Sequence, residues 1–598
     1  MQLKFSQLKI AVAIVVLLLF KQTVLLAQYD NGTRWAADGY QYYKEVDGQI
    51  VEMDTRDGSK NTVIVSSAML TPQGKPPIGI RRFSFSDDGK KVLIMNNTKK
   101  VWRYDTRGDY WVYNTVTKSL KQLGTKLPAS SLMFAKLSPD GTRAAYVSEH
   151  NIYVENLATG VVKKVTTNGT KKLINGTFDW VYEEEFDCRD GFRWSPDSKS
   201  IAYWQIDASK IKNYLMLNTT DSIYPYVVPV EYPTAGQDPS SCRLGVVSAE
   251  GGPSKWMQIP GNAIQHYIPR MEWTKNPNEL ILQQLNRAQT ESKLIICSTK
   301  TGIARDIYDE KDNAWIDAKT EPTGWDWIEK GKAFVWASEK DGWRHLYRIG
   351  IDGKQQLITQ GNFDVIDVSL IDEASGYIFF TASPDNPTQR YLYRVKLSGG
   401  KPERVTPADQ PGTHEYEISP NGKIALHDFS NSYTRYLEER VSLPDHQHLS
   451  GDPIKVDPAN KPKGAPEFFR VKTEDGIELD GWMKKPTNFD PSKKYPVVFY
   501  VYGEPASQVV TDTYGIGMNR QYVGSMADDG YIYIAVDNRG APCPRGREWR
   551  KAIYKSIGTL NIRDQAMAAK EILKWPFVDA DRIAVWGLTI RLTRTPSL

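Results

Sequence analysis

One short phrase recurs along most of the chain and constrains its fold more than any other feature. It consists of alternating apolar residues, then Ser-Pro-Asp-Gly or a variant, then a second apolar run. The clearest copies are FSFSDDGKKVLIM from Phe83, AKLSPDGTRAAYV from Ala135, FRWSPDSKSIAYW from Phe192 and YEISPNGKIALHD from Tyr416. Asp-Gly and Asn-Gly between alternating strands are strong hairpin signals. Each copy therefore predicts two antiparallel strands joined by a tight turn.

The spacing of the copies predicts the architecture. Degenerate copies start near Met271, Trp325 and Val368, and a first copy covers Gly48 to Val65. A period of about 50 residues suits one four-stranded blade, and such repeats predict an all-β propeller of about eight blades. A β-sandwich with many hairpins is the alternative, but a sandwich has no reason to repeat one phrase along its length.

From about Lys463 the pattern changes to strands alternating with a helix. Continuous apolar runs, typical of strands buried on both faces, occupy residues 495–503, 530–540 and 581–587. Between the last two runs, one helical stripe is predicted, made of Ile562, Ala566, Ala569 and Leu573. Strand, crossover helix and strand predict a parallel sheet covered by helices. At the end of such a strand, an α/β-hydrolase carries its nucleophile on a Gly-x-Ser-x-Gly turn.

Composition and charge exclude several classes of protein. A chain of 598 residues is too long for one hydrophobic core and predicts two or more domains. Its net charge of +5 is nearly balanced, and no basic block is long enough to indicate a nucleic-acid partner. The 7 histidines are scattered along the sequence. We therefore expect no metal site and no cofactor.

The N-terminus predicts export. Lys4 and Lys9 precede an unbroken apolar run from Ile10 to Phe20, which is too short to span a bilayer of about 30 Å. The segment fits a secretory signal peptide of residues 1–27, cleaved after Ala27. An uncleaved membrane anchor is the alternative. We expect a periplasmic, secreted or envelope-associated protein.

The cysteines leave their redox state open. They are widely spaced and contain no Cys-x-x-Cys pair: Cys188, Cys242, Cys297 and Cys543. Four cysteines allow three full pairings, and a large core does not need the disulfides of small secreted domains. A bridge between Cys188 and Cys242 and a set of unpaired buried thiols are both compatible with the sequence.

Several segments in a fixed order carry a resemblance to a known family. They are DWVYEEEF from Asp179, SEKDGWRHLYRI from Ser338, FYVYGEPASQ from Phe499, IGTLNIRDQ from Ile557 and VDADRIAVWG from Val578. With these segments the chain resembles the dipeptidyl peptidase IV group of the prolyl oligopeptidase family of serine peptidases, from about Trp35 to Gly587. The resemblance implies an eight-bladed propeller that caps an α/β-hydrolase domain. We expect the propeller over residues 28–462 and a partial hydrolase domain over residues 463–598.

The acidic run within FDWVYEEEF stands in an aromatic frame. Neighbouring carboxylates repel one another, and burying them is costly unless a cation offsets their charge. The resemblance implies that Glu184 and Glu185 bind the free α-amino group of a peptide substrate. An ammonium with three donors can be shared by two carboxylates through charge-assisted hydrogen bonds. Glu183 is expected to be structural, and a solvated acidic turn is the alternative for the whole run.

Two further residues have roles that the resemblance implies. Arg103 matches an arginine that holds the substrate's backbone carbonyl near the glutamates. Arg107 is a competing candidate, and a surface salt bridge is the alternative. Tyr502 matches a tyrosine whose hydroxyl helps to form the oxyanion hole, where one donor is worth ~3 kcal/mol in the transition state. A tyrosine buried at a strand end is the alternative there.

The family pattern fails after Gly587. The family continues with Gly-Trp-Ser-Tyr-Gly-Gly, whereas this sequence reads GLTIRLTRTPSL. Thr589 stands in the serine position, and Arg591 stands where a glycine permits the sharp turn. The aspartate and histidine of the triad follow later in chain order, and Asp579, Asp581 and His446 are not substitutes for them. We therefore expect a hydrolase domain truncated before the catalytic serine, with an aberrant end after residue 587, and no hydrolysis by this chain.

Three functions are compatible with the sequence. The first is a serine exopeptidase that releases X-Pro dipeptides from peptides with a penultimate proline, with this chain an incomplete copy. The second is a relative that cleaves inside small proline-containing peptides, against which the paired glutamates argue. The third is a non-catalytic propeller that binds peptide N-termini or protein partners. The resemblance also allows a homodimer.

Overall fold

The protein was analysed as a computed structural model that describes residues 34–36, 38–58, 60–318, 323–519 and 521–587. The predicted signal peptide and Thr589 lie outside these residues. Helices within the described ranges are α1 (Trp180–Phe186), α2 (Arg547–Lys551) and α3 (Leu560–Ile572), with 3₁₀ helices at Glu329–Gly331 and Pro458–Asn460. None of the helices in this part of the chain is long and apolar enough to cross a membrane.

The described residues form two compact units, and the first comprises the described residues of Met1–Trp180 together with Arg189–Ala235 and Leu244–Trp256. Its sheets are antiparallel: β1–β4, then β5–β12 as one sheet, then β13–β15 with β18 and β19, and a separate hairpin β16–β17. The strands are β1 Arg34–Trp35, β2 Gln41–Val46, β3 Gln49–Asp54, β4 Asn61–Val65, β5 Arg82–Phe85, β6 Lys91–Val101, β7 Tyr104–Asn114, β8 Ser119–Gln122, β9 Leu132–Leu137, β10 Arg143–Ser148, β11 Asn151–Asn156, β12 Val162–Lys164, β13 Leu173–Asn175, β14 Phe192–Trp194, β15 Ser200–Asp207, β16 Asn213–Asn218, β17 Tyr226–Glu231, β18 Ser241–Ser248 and β19 Lys255–Trp256.

The second unit comprises Val181–Cys188, Gly236–Arg243 and the described residues of Met257–Leu598. It contains four antiparallel four-stranded sheets in succession, β20–β23, β24–β27, β28–β31 and β32–β35, and a five-stranded sheet, β36–β40. The strands are β20 His266–Trp273, β21 Glu279–Asn286, β22 Glu291–Ser298, β23 Ala304–Lys311, β24 Asp326–Ile328, β25 Ala333–Ser338, β26 His345–Gly350, β27 Gln355–Leu357, β28 Val365–Asp372, β29 Tyr377–Ala382, β30 Tyr391–Lys396, β31 Glu403–Arg404, β32 Thr413–Ile418, β33 Ile424–Ser430, β34 Leu437–Ser442, β35 His448–Gly451, β36 Glu467–Lys472, β37 Glu478–Lys484, β38 Tyr495–Tyr500, β39 Ile532–Val536 and β40 Val578–Trp586.

The recurring phrase forms the same turn wherever it is clear. In the first copy, the Ser86 hydroxyl donates to Asp88 at 2.6 Å and accepts from the backbone N–H of Lys91 at 3.0 Å. The second copy repeats these bonds with Ser138 and Asp140. The residue after each pair has a left-handed φ, 68° at Gly89 and 66° at Gly141, which favours glycine. The phrase therefore encodes a hairpin turn through local hydrogen bonds, as predicted.

Five of the sheets in the described ranges are four-stranded antiparallel units, namely β1–β4, β20–β23, β24–β27, β28–β31 and β32–β35, and the eight-stranded sheet β5–β12 has the strands of two such units. Such a series fits the predicted β-propeller of about eight blades, because consecutive strands in each unit are hydrogen-bonded neighbours. The hairpin β16–β17 interrupts the series between the copy of the phrase that starts at Phe192 and the degenerate copy near Met271. It exposes several apolar side chains, among them Leu215 and Leu217.

The last sheet is mixed, whereas the sequence predicted a parallel one. Its order is β36-β37-β39-β38-β40; β38 is parallel to β39 and β40, and β36, β37 and β39 pair antiparallel. The prediction missed β36 and β37 because their sequences, EFFRVK and ELDGWMK, contain no continuous apolar run like those of the other strands. The parallel part and its helices fit the coarser expectation of an α/β-hydrolase sheet.

The buried face of α3 also differs from the predicted stripe. The buried residues are Asp564, Ala568 and Ile572, whereas Ile562 is exposed. Asp564 faces inward because it accepts hydrogen bonds from the Arg539 side chain at 2.6 and 2.9 Å and from the Arg539 backbone N–H at 3.0 Å. A buried ion pair therefore rotates the helix away from the face that apolar periodicity indicates.

A buried ionic cluster attaches α2 to the four-stranded sheets of the second unit. Arg550 pairs with Asp364 at 2.5 Å and also contacts Glu339. Lys551 bridges Asp312 at 2.6 Å and Glu339 at 2.8 Å. Burial opposes ionisation of Glu339, but the charges of Arg550 and Lys551 outweigh it and lower the pKa of Glu339 to about 2. The carboxylates follow or precede strands β23, β25 and β28, so the cluster links three sheets to one helix.

All four cysteines are buried, and none of them forms a disulfide. The suggested bridge between Cys188 and Cys242 is therefore wrong, and the alternative of buried thiols without disulfides is confirmed. Burial raises the pKa of Cys297 to about 12, and it also raises the pKa of Cys543. Neither of these thiols is a reactive thiolate at neutral pH.

We predict that Arg550→Met lowers the free energy of unfolding by about 3–5 kcal/mol, because it leaves the buried charges of Asp364 and Glu339 poorly compensated. The matched control is Arg563→Met, which removes an exposed pair with Asp475 and should cost less than about 1 kcal/mol. Urea unfolding followed by tryptophan fluorescence measures both. Equal losses in the two variants would show that the buried cluster contributes no special stability.

We also predict that Ellman's reagent labels the folded protein slowly and labels four thiols once the protein is unfolded in guanidinium without reductant, because all four cysteines are buried and none forms a disulfide. Two labelled thiols in denaturant would reveal a disulfide and contradict the structure.

Candidate functional site

The acidic run lies on the short helix α1, and aromatic side chains hold this helix on one side. Tyr182 and Phe186, one turn apart, pack against each other at 5.6 Å and against Tyr267 at 5.9 and 4.9 Å between ring centroids. The Tyr182 hydroxyl accepts a hydrogen bond from the backbone N–H of Ile268 at 3.2 Å. The backbone N–H of Cys188 donates to the Tyr182 carbonyl at 3.0 Å. These contacts fix the helix on which the glutamates stand.

A second pair of aromatic contacts orders the start of this segment. Phe178 packs on Trp204 at 5.3 Å, and Trp180 packs on Tyr232 at 4.3 Å between ring centroids. Aromatic residues that precede and follow the acidic run in sequence are therefore held in place by ring contacts. The sequence predicted this ordered setting, and a loose solvated turn does not account for it.

The three glutamates differ in burial. Glu183 is buried, whereas Glu184 and Glu185 are each half-buried. This difference agrees with a structural role for Glu183. It also leaves the two carboxylates with the proposed binding role adjacent in sequence, on a helix whose other side is anchored by Tyr182 and Phe186.

Arg103 lies in the connection between β6 and β7 and is exposed, as is Arg107 on β7. The next residue, Tyr104, carries the guanidinium of Arg189 over its ring at 3.5 Å from the centroid. Arg103, Arg107, Tyr104 and Arg189 belong to the first unit, whereas Glu184 and Glu185 belong to the second. The choice between Arg103 and Arg107 stays a prediction.

Tyr502 lies two residues beyond β38, at the carboxyl edge of the parallel strands. The backbone N–H of Val501 donates to the carbonyl of Trp586 at 3.0 Å, so the ends of β38 and β40 are neighbours. The amide of Asn561 donates to the Gly503 carbonyl at 3.1 Å. Ligands of open α/β sheets bind at this edge. The structure therefore places Tyr502 beside the point where the chain leaves β40 towards Thr589.

Sequence reasoning missed the buried carboxylate that shapes this edge. Asp537 directly follows β39 and accepts hydrogen bonds from the backbone N–H groups of Val509 and Val510 at 3.0 and 2.8 Å. Burial raises the pKa of Asp537 to about 6 despite these bonds. It fixes the segment that follows Tyr502, so it is a positioning residue. The available signal was a polar residue placed directly after a buried strand.

Two family models match the chain. The model of the dipeptidyl peptidase IV (DPP IV) N-terminal region matches residues 86–436, and the model of the prolyl oligopeptidase family matches residues 518–589. The first match includes the acidic helix, and the second includes β39, both nearby helices and β40.

Curated relatives show moderate identity. A probable dipeptidyl-aminopeptidase B of Uncinocarpus reesii is 27% identical over 532 residues, which cover 84% of this chain and 57% of that protein. Dipeptidyl peptidase 4 of Trichophyton tonsurans is 27% identical over 566 residues, covering 90% of this chain and 71% of that protein. The chain thus spans little more than half the length of the first relative.

Solved structures show the same fold. The crystal structure of Porphyromonas gingivalis dipeptidyl peptidase 4 is similar with a TM-score of 0.84 and 28% identity, covering 93% of this chain and 78% of that one. A putative dipeptidyl aminopeptidase IV of Bacteroides ovatus, at 23% identity and a TM-score of 0.76 over 93% of this chain and 78% of that one, supports the fold alone. Since the N-terminal-region model covers more than half of the sequence, the chain belongs to the dipeptidyl peptidase IV-like peptidases of the prolyl oligopeptidase family.

Proposed function

We propose that this protein binds the free N-terminus of a peptide through Glu184 and Glu185, as the recognition step of a serine dipeptidyl peptidase that releases X-Pro dipeptides. The observation that carries the proposal is the pair of half-buried glutamates on a helix anchored by aromatic side chains, in a chain of this family.

The chemistry of the pair suits an ammonium group. Two carboxylates can share its three donors, and hydrogen bonds between charged groups are shorter and stronger than neutral ones. Holding the amine at a fixed point sets the distance to the bond that is cleaved. A site of this kind therefore selects an exopeptidase, and it disfavours a relative that cleaves inside peptides.

Other residues would complete the reaction in a protein with an intact catalytic turn. A serine would attack the acyl carbon, a histidine would take its proton, and an aspartate would orient the histidine. Tyr502 would donate its hydroxyl to the developing oxyanion, and Arg103 would hold a substrate carbonyl. Asp537 would keep the segment after Tyr502 in place.

A non-catalytic binding protein is the second candidate function, and Thr589 in the serine position favours it. Threonine there is followed by Ile590 and Arg591 rather than by the residues of the family turn. Export through residues 1–27 stays a prediction. Homodimer formation is also a proposal, and the exposed apolar residues of hairpin β16–β17 are compatible with it.

We predict that a Gly-Pro-containing tripeptide binds the protein and that acetylation of its amine weakens binding at least tenfold, because a hydrogen bond between charged groups contributes about 1.5–3 kcal/mol. Glu184→Gln and Glu185→Gln should each cause a similar loss by isothermal titration calorimetry. The control is Asp187→Asn, which removes one negative charge next to the helix at a residue whose left-handed φ of 59° asparagine tolerates. The proposed binding of the amine would be rejected if acetylation left the affinity unchanged. It would also be rejected if Asp187→Asn lowered the affinity as much as the two glutamate variants do.

We further predict that a polypeptide of this sequence does not release nitroaniline from Gly-Pro-p-nitroanilide, because threonine stands at position 589 in place of the serine and Arg591 stands where the family turn has a glycine. A dipeptidyl peptidase of known activity serves as the positive control. Turnover of about 1 s⁻¹ or faster would show that the chain is catalytic and would exclude the non-catalytic alternative.

A further inference from the structure

Four of the 7 histidines, scattered in the sequence, meet in the last four-stranded sheet of the repeat series. His414 lies on β32 and His427 on β33, and the register of β33 and β34 places His427 directly opposite Glu439. His446 lies in the connection between β34 and β35, and His448 begins β35. No pattern in the sequence indicated this cluster, because strand register, not spacing along the chain, brings the residues together.

The groups contact one another closely. Nδ1 of His427 lies 3.0 Å from Oε1 of Glu439, and Nδ1 of His448 lies 2.7 Å from Oε2 of the same carboxylate. Nε2 of His427 lies 2.8 Å from Nδ1 of His414, whose Nε2 lies 2.8 Å from the Gln410 carbonyl oxygen. His427 and Glu439 are almost fully buried.

The hydrogen bonds of this cluster require one shared proton. A carbonyl oxygen only accepts, so Nε2 of His414 donates to Gln410, and Nδ1 of a neutral His414 accepts from Nε2 of His427. Nδ1 of His427 then faces Glu439, and a close contact of these two acceptors needs a proton on one of them. A cation other than a proton can occupy the same position.

His446 lies next to the position between Nδ1 of His427 and Oε1 of Glu439. Its ring packs edge-on against that of His427 at 5.0 Å, and its Nε2 lies 2.8 Å from the Tyr416 hydroxyl. Each of His427, Glu439 and His446 offers one ligand atom, and these three atoms lie within 4.8 Å of one another. Zinc ligands stand about 2.0–2.2 Å from the metal, so two ligand atoms of one tetrahedral site stand about 3.3–3.6 Å apart. The three atoms can surround one ion once the side chains shift by about 1 Å.

We propose that His427, Glu439 and His446 form a binding site for a Zn²⁺ ion that joins the connection after β34 to strands β33 and β34. Two imidazoles and one carboxylate suit zinc, whereas Ca²⁺ and Mg²⁺ prefer oxygen ligands. On binding, the ion takes the place of the proton between His427 and Glu439, and that proton leaves to solvent. Three protein ligands leave the fourth position for water.

The surroundings fit a metal site. His414 accepts the remaining N–H of His427 and is itself held by Gln410, which fixes the ring orientation in the way that groups around metal ligands commonly do. His448 contacts the second oxygen of Glu439 and is partly exposed, so the carboxylate is oriented from the solvent side. This site is separate in sequence and in sheet from the residues proposed to bind peptide.

The test is calorimetric titration of Zn²⁺ into the chelator-treated full chain, with His446→Asn and His150→Asn compared. Both histidines have left-handed φ values, 52° and 62°, which asparagine tolerates, and His150 lies far from the cluster in sequence, in the first unit. We expect one Zn²⁺ per chain, an affinity loss of about 100-fold or more in His446→Asn, and no change in His150→Asn.

A second measurement needs no variant. Co²⁺ added to the chelator-treated chain should give the intense visible absorption of a four-coordinate site, and Zn²⁺ should abolish it. No Zn²⁺ binding at millimolar concentration, or equal binding by the two variants, would overturn the proposal. Weak six-coordinate Co²⁺ absorption would likewise reject the site.

Discussion

The second unit depends on the buried charge cluster between α2 and the strand ends of three four-stranded sheets. Arg550 and Lys551 are adjacent in the helix, and together with Arg547 they neutralise Asp364, Glu339 and Asp312. Buried charges contribute to the specificity of a fold only when each charged group in the cluster has a partner of opposite charge. Because α2 follows β39 closely, this compensation also sets where the mixed sheet stands relative to those sheets. The carboxyl edge that carries Tyr502 is thereby held against a rigid support, and Asp537 fixes the backbone that follows it.

The parts of this fold that the sequence predicted are those determined locally. The Ser-x-Asp-Gly turn bonds to itself within six residues, so its pattern can be read from one segment, and its period indicates the repeat architecture. The strands β38, β39 and β40 were likewise visible as apolar runs. The buried face of α3 was mispredicted because Asp564 turns inward to meet Arg539, a partner 25 residues away. The same limit applies to β36 and β37, which join the sheet through pairing that no local pattern reveals.

The candidate site was predictable to a different degree for each residue. Glu184 and Glu185 stand out because three carboxylates inside an aromatic frame are unusual, and the packing of Tyr182 and Phe186 explains why the frame is needed. Tyr502 was found only through resemblance, since a tyrosine at a strand end is ordinary by itself. Asp537 was missed because its role depends on backbone N–H groups that fold back from residues 509 and 510.

Three groups of buried or half-buried carboxylates in this chain illustrate how a negative charge is compensated inside a protein. Glu339 is surrounded by cationic side chains, so its charge is permanently balanced and its contribution is structural. Glu439 faces imidazoles, which balance it only by holding a proton or a metal ion, so its state depends on what the solution supplies. Glu184 and Glu185, on a helix anchored by apolar rings, are proposed to bind the ammonium of a substrate. A carboxylate surrounded by fixed cations of its own protein stabilises a fold, whereas one that faces imidazoles can exchange the shared proton for a metal ion.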